Sequence, residues 1–82
     1  MATWTIWANY DPEAQLWYTS DSELPGIVAE AETLAQLERK IGERFPDMLE
    51  GNAHLIEDKS RLAGPHELRL VAFSETRRQV AA

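Results

Sequence analysis

The chain has 82 residues, fourteen acidic and eight basic, for a formal net charge of -6, and it contains no cysteine. At this length only about 60% of the unfolded surface can be buried, so the chain builds one core, and a deep catalytic pocket within one monomer is not expected. Without cysteine there is no disulfide framework or thiolate metal site, and the negative balance disfavours a phosphate backbone as partner.

The same charge steers a basic protein towards the surface, and it also serves solubility. The opening Met1-Ala2-Thr3-Trp4-Thr5-Ile6-Trp7 lacks the basic start and long apolar run of a signal peptide. No stretch approaches the roughly 20 apolar residues of a membrane span. A cytoplasmic location without membrane contact is therefore expected.

Thr3 to Tyr10 and Gln15 to Ser20 are rich in β-branched and aromatic residues, with Asp11-Pro12-Glu13-Ala14 between them. This pattern predicts a hairpin. Asp then Pro suits a type I turn, because Pro presets φ and the Asp side chain can accept from amides ahead of it. The predicted register pairs Tyr10 with Gln15 and Ala8 with Trp17. Alternation then puts Trp4, Ile6, Ala8, Tyr10, Trp17 and Thr19 on one face, and Thr5, Trp7, Asn9, Leu16 and Tyr18 on the other. A sheet covered on one side needs one apolar face, so the second set marks a contact surface, unless the chain ends cover it.

Leu24-Pro25-Gly26 predicts a type II turn, whose third residue needs positive φ. A short third strand is expected over Ile27–Ala31. Thr33 then suits a helix N-cap, with Gln36 three residues on and Glu32 near the positive helix end. Leu34, Leu37, Ile41, Phe45, Met48 and Leu49 fall within about 120° on a helical wheel, a stripe for packing on a sheet. Pro46 predicts a kink or break near Phe45, with a second short segment to Glu50 and an end at Gly51-Asn52.

Ala53 to Pro65 reads as a charged loop, pinned by Leu55 and Ile56. His66 to Ser74 reads as a mostly buried final strand, followed by a polar stretch. The predicted fold class is α+β: an antiparallel β-β-β-α-β sheet with one amphipathic helix on one face. Residues 1–82 make a single domain, with no separate DNA-binding domain.

No catalytic, cofactor or metal residue is assigned. His54 and His66 lack partners at zinc-site spacing, and no nucleophile is placed to meet either one. Asp11, Glu13, Asp21 and Glu23 sit beside Pro and Ser as turn residues do, which outweighs a magnesium site. Arg39, Lys40 and Arg44 alternate with Glu38 and Glu43 as on a solvated helix face. Arg77 and Arg78 are a weak signal for an anion.

Tyr10-Asp11-Pro12-Glu13-Ala14, Leu16-Trp17, Leu24-Pro25-Gly26, Glu32-Thr33-Leu34 and Phe45-Pro46-Asp47-Met48-Leu49-Glu50 together resemble the HicB-like antitoxin superfamily, closest to its short members grouped as a domain of unknown function. The resemblance implies a partial ribonuclease-H-like layout. It also implies the role of a domain that binds and occludes a small basic RNA-cleaving toxin. Ala31 stands where that pattern often has Gly, and Gln36-Leu37 where Glu-Ala is common. The motifs are turns and core positions, so they speak to fold more than to function.

The expectation is a non-catalytic module that holds a small basic protein, with Trp7, Leu16 and Tyr18 as partner-binding residues. The alternative is a structural or ligand-holding homo-oligomer, a homodimer for instance, closed by the same aromatics. A magnesium-dependent hydrolase is a distant third.

Overall fold

The computed structural model describes residues 1–73, 80 and 81; Ser74, Arg77 and Arg78 lie outside them. Strands β1 (Ala2–Asp11), β2 (Leu16–Ser22) and β3 (Glu30–Ala31) are followed by helix α1 (Leu34–Asn52), two short 3-10 turns at Ala53–Leu55 and Lys59–Leu62, and strand β4 (His66–Phe73). The strands form one sheet in the order β3-β2-β1-β4. The α+β class and the order of elements are those expected.

One pairing differs from an all-antiparallel sheet: β4 runs parallel to β1, from Ala2 opposite His66 to Asn9 opposite Phe73. The cause lies in the connection. Since β3 is antiparallel to β2, and β2 to β1, β3 already points along β1. A helical crossover returns the chain to start the next strand in the same sense.

The hairpin register also differs. Asp11 pairs with Leu16, Tyr10 with Trp17 and Ala8 with Thr19, a slip of two residues from the predicted pairing. Asp11 Oδ1 accepts from the amides of Glu13 and Ala14 at 3.0 and 3.3 Å, as its turn role requires. Gln15 then takes a left-handed conformation, φ 57°, so the loop absorbs Gln15 before pairing begins. A slip of two keeps every side chain on its predicted face. The register shifts again between Trp7 and Ala8, which brings Trp7 opposite Asp21.

The core lies between the sheet and α1. Trp4, Ile6 and Ala8 of β1 meet Leu37, Ile41 and Phe45 of α1, with Leu24, Ile27, Ala29, Ala31 and Ile56 closing the sides. Trp4, Ile6, Leu24, Leu37 and Ile41 are the largest side chains to be fully buried, each contributing about 1.5–3 kcal/mol before ordering entropy is subtracted. Leu34, Met48 and Leu49 are half-buried against this core. Of the two residues expected to pin the loop, Ile56 is buried and Leu55 is exposed.

Thr33 caps α1, its hydroxyl accepting from the Gln36 amide at 3.1 Å. Of the kink or break expected near Phe45, the break does not occur: one helix continues through Pro46 to Asn52. The carbonyl that loses its donor to Pro46 belongs to Gly42, four residues earlier on the exposed side, where water replaces that donor at little cost.

β3 is only two residues long, Glu30–Ala31, rather than starting at Ile27, although the Ala29 carbonyl still accepts from the Thr19 amide at 3.0 Å. Its outer margin is nevertheless tied to the helix. Lys40 Nζ donates to the Glu30 carbonyl at 2.7 Å, and the Arg44 guanidinium donates to the Val28 carbonyl. Two of the three basic helix residues thus close a sheet edge, where a purely solvated face was expected. Gly26 takes the positive φ expected of it, 87°, and a Cβ there would meet Asn52 Nδ2 at 2.9 Å.

Candidate functional site

With α1 covering one face, no other described element covers the opposite face of the sheet, and the register defines its rows. Asp21, Trp7 and Val71 form one row across β2, β1 and β4. Glu30, Tyr18, Asn9 and Phe73 form the next, across all four strands. Trp7 and Tyr18 are therefore diagonal neighbours, close enough for aromatic side chains to act together. Phe73 is 63% exposed and Tyr18 38%, while Trp7 is half-buried.

Trp7, Leu16 and Tyr18 all fall on this face, but they do not form a compact triad. Leu16 pairs with Asp11 at the hairpin end. It also borders a shallow depression of about 560 Å³ that reaches Glu32, Arg39 and Lys40 on the helix side. Leu16 is thus at the rim, and the centre of the apolar surface shifts towards β4.

Val71 and Phe73 were missed because Leu70-Val71-Ala72-Phe73 reads as one apolar run of a mostly buried strand. In the structure β4 is an edge strand, and no residue of it is fully buried. The signal was present just upstream. Glu67-Leu68-Arg69-Leu70 alternates polar and apolar, the mark of a strand with one wet face, and carrying that phase forward puts Val71 and Phe73 on the open side.

The aromatic surface is bordered by Asp21, Glu30 and Glu67, with Arg69 opposite Thr5 as the cation on the same face. A basic protein surface meets more complementary than repulsive charge here.

A second cluster lies at the N-terminal half of β1, where β2 has diverged. Glu23 Oε1 accepts from the Thr5 amide at 2.7 Å, and the Arg61 guanidinium donates to the Thr3 carbonyl at 2.7 Å. Glu23 and Arg61 are themselves 3.5 Å apart. These two side chains stand in for a missing strand. The Thr5 amide, with help from Arg61, holds the Glu23 carboxyl below the ordinary glutamate range against the opposing effect of burial. At the helix end, hydrogen bonds from Ser60 hold Asp58 below its usual range.

Arg61 also lies over the Trp4 ring, 4.0 Å from its centroid. On the far side, the Trp4 indole N–H donates to His66 Nδ1 at 3.1 Å. His66 borders an apolar hollow of about 360 Å³ lined by Phe45, Pro46, Leu49 and Leu62. His54 is exposed on the first 3-10 turn. Among the described residues no three His, Asp or Glu side chains gather as a metal site would require. No described helix is long and apolar enough to cross a membrane.

The fold and its open face define an α+β domain whose sheet is covered on one side. Within that class the chain belongs to the family described as Domain of unknown function (DUF1902), whose model matches residues 3–82. It is similar to the hypothetical protein TTHA1013 from the extremely thermophilic bacterium Thermus thermophilus. The two are 35% identical over 96% of this chain and 99% of that one, with a TM-score of 0.70. No curated protein matches the chain.

Proposed function

We propose that the chain is a non-catalytic, cytoplasmic protein-binding module that holds a small basic protein on its uncovered sheet face, in the manner of the toxin-binding domain of a HicB-like antitoxin. One observation carries this reading: Trp7, Tyr18, Val71 and Phe73 sit together on a face that α1 leaves open, with acidic residues at its border. Aromatic anchors inside a polar rim are the usual anatomy of a protein-binding surface. That the partner is a toxin rests on the resemblance of the turn and helix motifs.

The competing occupant of this face is a second copy of the chain. Against a face-to-face homo-oligomer stands like-charge repulsion, since each copy would bring the same acidic border. The test is an affinity pull-down of the tagged protein from its host at low salt, in parallel with a Trp7→Ala, Phe73→Ala form. The expected result is a small basic protein recovered stoichiometrically with the parent chain and lost from the variant. Recovery of the chain alone, or only with itself, would retire the reading.

A further inference from the structure

We propose that two copies of the chain join edge to edge through β4, antiparallel about a two-fold axis at Leu68, so that two four-stranded sheets become one. The two margins of the sheet differ in how they are finished. At β3 the strand is two residues long, and Lys40 and Arg44 occupy the carbonyls of Glu30 and Val28. At β4 the margin runs for eight residues, His66–Phe73, in unbroken register with β1. It contains no Pro, no Lys and no bulge, three of the features that ordinarily protect an edge, and its two charges, Glu67 and Arg69, are of opposite sign. Among the described residues no strand lies on its outer side.

The phase of that outer side is fixed. Ala2 is opposite His66, and its amide donates to the Pro65 carbonyl at 3.1 Å. In a parallel ladder this turns the main-chain groups of Glu67, Arg69 and Val71 towards β1 and those of His66, Leu68 and Leu70 outward. A second β4 running antiparallel must match both this phase and the two faces. An axis at Arg69 sets Arg69 against itself. One at Leu70 sets Arg69 against Val71 and Glu67 against Phe73. An axis at Leu68 puts Leu68 on its own copy, His66 opposite Leu70, and Glu67 opposite Arg69 twice over.

Only the last arrangement pairs every charge on the strand with an opposite one. The Leu68 and His66 rungs are then the hydrogen-bonded pairs, and the Glu67–Arg69 pairs fall at the closely spaced rungs, where side chains approach most nearly. On the helix side, Leu68 and Leu70 are only half-buried and line a hollow of about 240 Å³ with Ile6, Ile41, Arg69 and the Glu38 of α1. The leucines of the second copy close its outer side. The aromatic face of each copy stays uncovered, so this dimer and the proposed partner are compatible, and either proposal can fail without the other.

Each copy carries a net charge of -6, so salt both relieves the repulsion between copies and weakens the two charge pairs. Charge exchange separates these effects better than a salt series does. Glu67 and Arg69 are exposed, so Glu67→Arg, Arg69→Glu and the combined exchange should all fold, which circular dichroism checks. Sedimentation velocity over the micromolar range should show a reversible dimer for the parent chain. Each single reversal should weaken it by about tenfold or more, and the combined exchange should restore it. A monomer throughout, a dimer indifferent to the single reversals, or an exchange as weak as either single change would each overturn the proposal.

Discussion

The indole N–H of Trp4 donates to Nδ1 of His66 at 3.1 Å, joining the start of the first strand to the start of the last. Trp4 is fully buried, so the bond satisfies a donor that water cannot reach, and it requires an imidazole with Nδ1 unprotonated. Replacing His66 with Ala should cost about 1–3 kcal/mol, because the indole donor is left without a partner. Urea unfolding of His66→Ala, Trp4→Phe and the double variant would measure it, and the expected sign is a double variant less destabilised than the sum of the singles.

Glu23 gives stability a dependence on acid. Its carboxyl is held below the ordinary range by the Thr5 amide first and by Arg61 as well. A folded value below the unfolded one means the unfolded state takes up the proton more readily. The contribution is therefore complete above the unfolded pKa, about 4.3 for an ordinary glutamate, and is lost as pH falls through the folded value. Glu23→Gln keeps an acceptor for Thr5 and removes the titration. The variant should show a shallower loss of stability below about pH 4.3 than the parent, read from unfolding midpoints along a pH series. The carboxylate is partly exposed, so the difference should be small.

Gly26→Ala meets two obstacles. A non-glycine residue at φ 87° is strained, and its Cβ would press on the Asn52 amide that bonds the Met48 carbonyl. A loss of about 1–2 kcal/mol is expected from the backbone alone. Thermal unfolding would record it, and an unchanged midpoint would show that the turn relaxes.

Trp7→Ala and Phe73→Ala separate partner binding from stability. Phe73 is exposed and Trp7 half-buried, so the Phe73 change should scarcely move the unfolding midpoint. Each should weaken capture of a basic partner by more than about 1 kcal/mol if it is an anchor. Titration calorimetry with the purified partner would decide it, and an unaltered isotherm for both would move the contact away from this face.

Local signals in the chain were read correctly where a single residue type settles the geometry. Thr33 at the cap, Asp11 in its turn and Gly26 at positive φ follow from short-range chemistry, and the apolar stripe of α1 from periodicity. What escaped was set by distant partners. The direction of β4 depends on where α1 delivers the chain, and the exposure of Phe73 depends on β4 being an edge. Gln15 has no sequence feature that announces a left-handed conformation, so the hairpin slipped by two. Pro46 removes one donor, but the Gly42 carbonyl that loses it is exposed, so the helix is not broken there. For the candidate site, alternation in β1 and β2 brought out Trp7, Leu16 and Tyr18. The β4 half of the same surface needed the pairing of Asn9 with Phe73, across 64 positions of sequence.

The parallel pairing of β1 with β4 orders events during synthesis. The hairpin and α1 draw their own hydrogen bonds from near neighbours, while β1 must wait for His66–Phe73 before its second side is paired. Until then Trp4 has no imidazole to receive its N–H, and the strand that becomes the centre of the sheet is itself an edge. A nascent chain halted before His66 would expose this strand to whatever chaperone or neighbouring chain is at hand. The arrival of β4 is what turns β1 from an edge into an inner strand of the sheet.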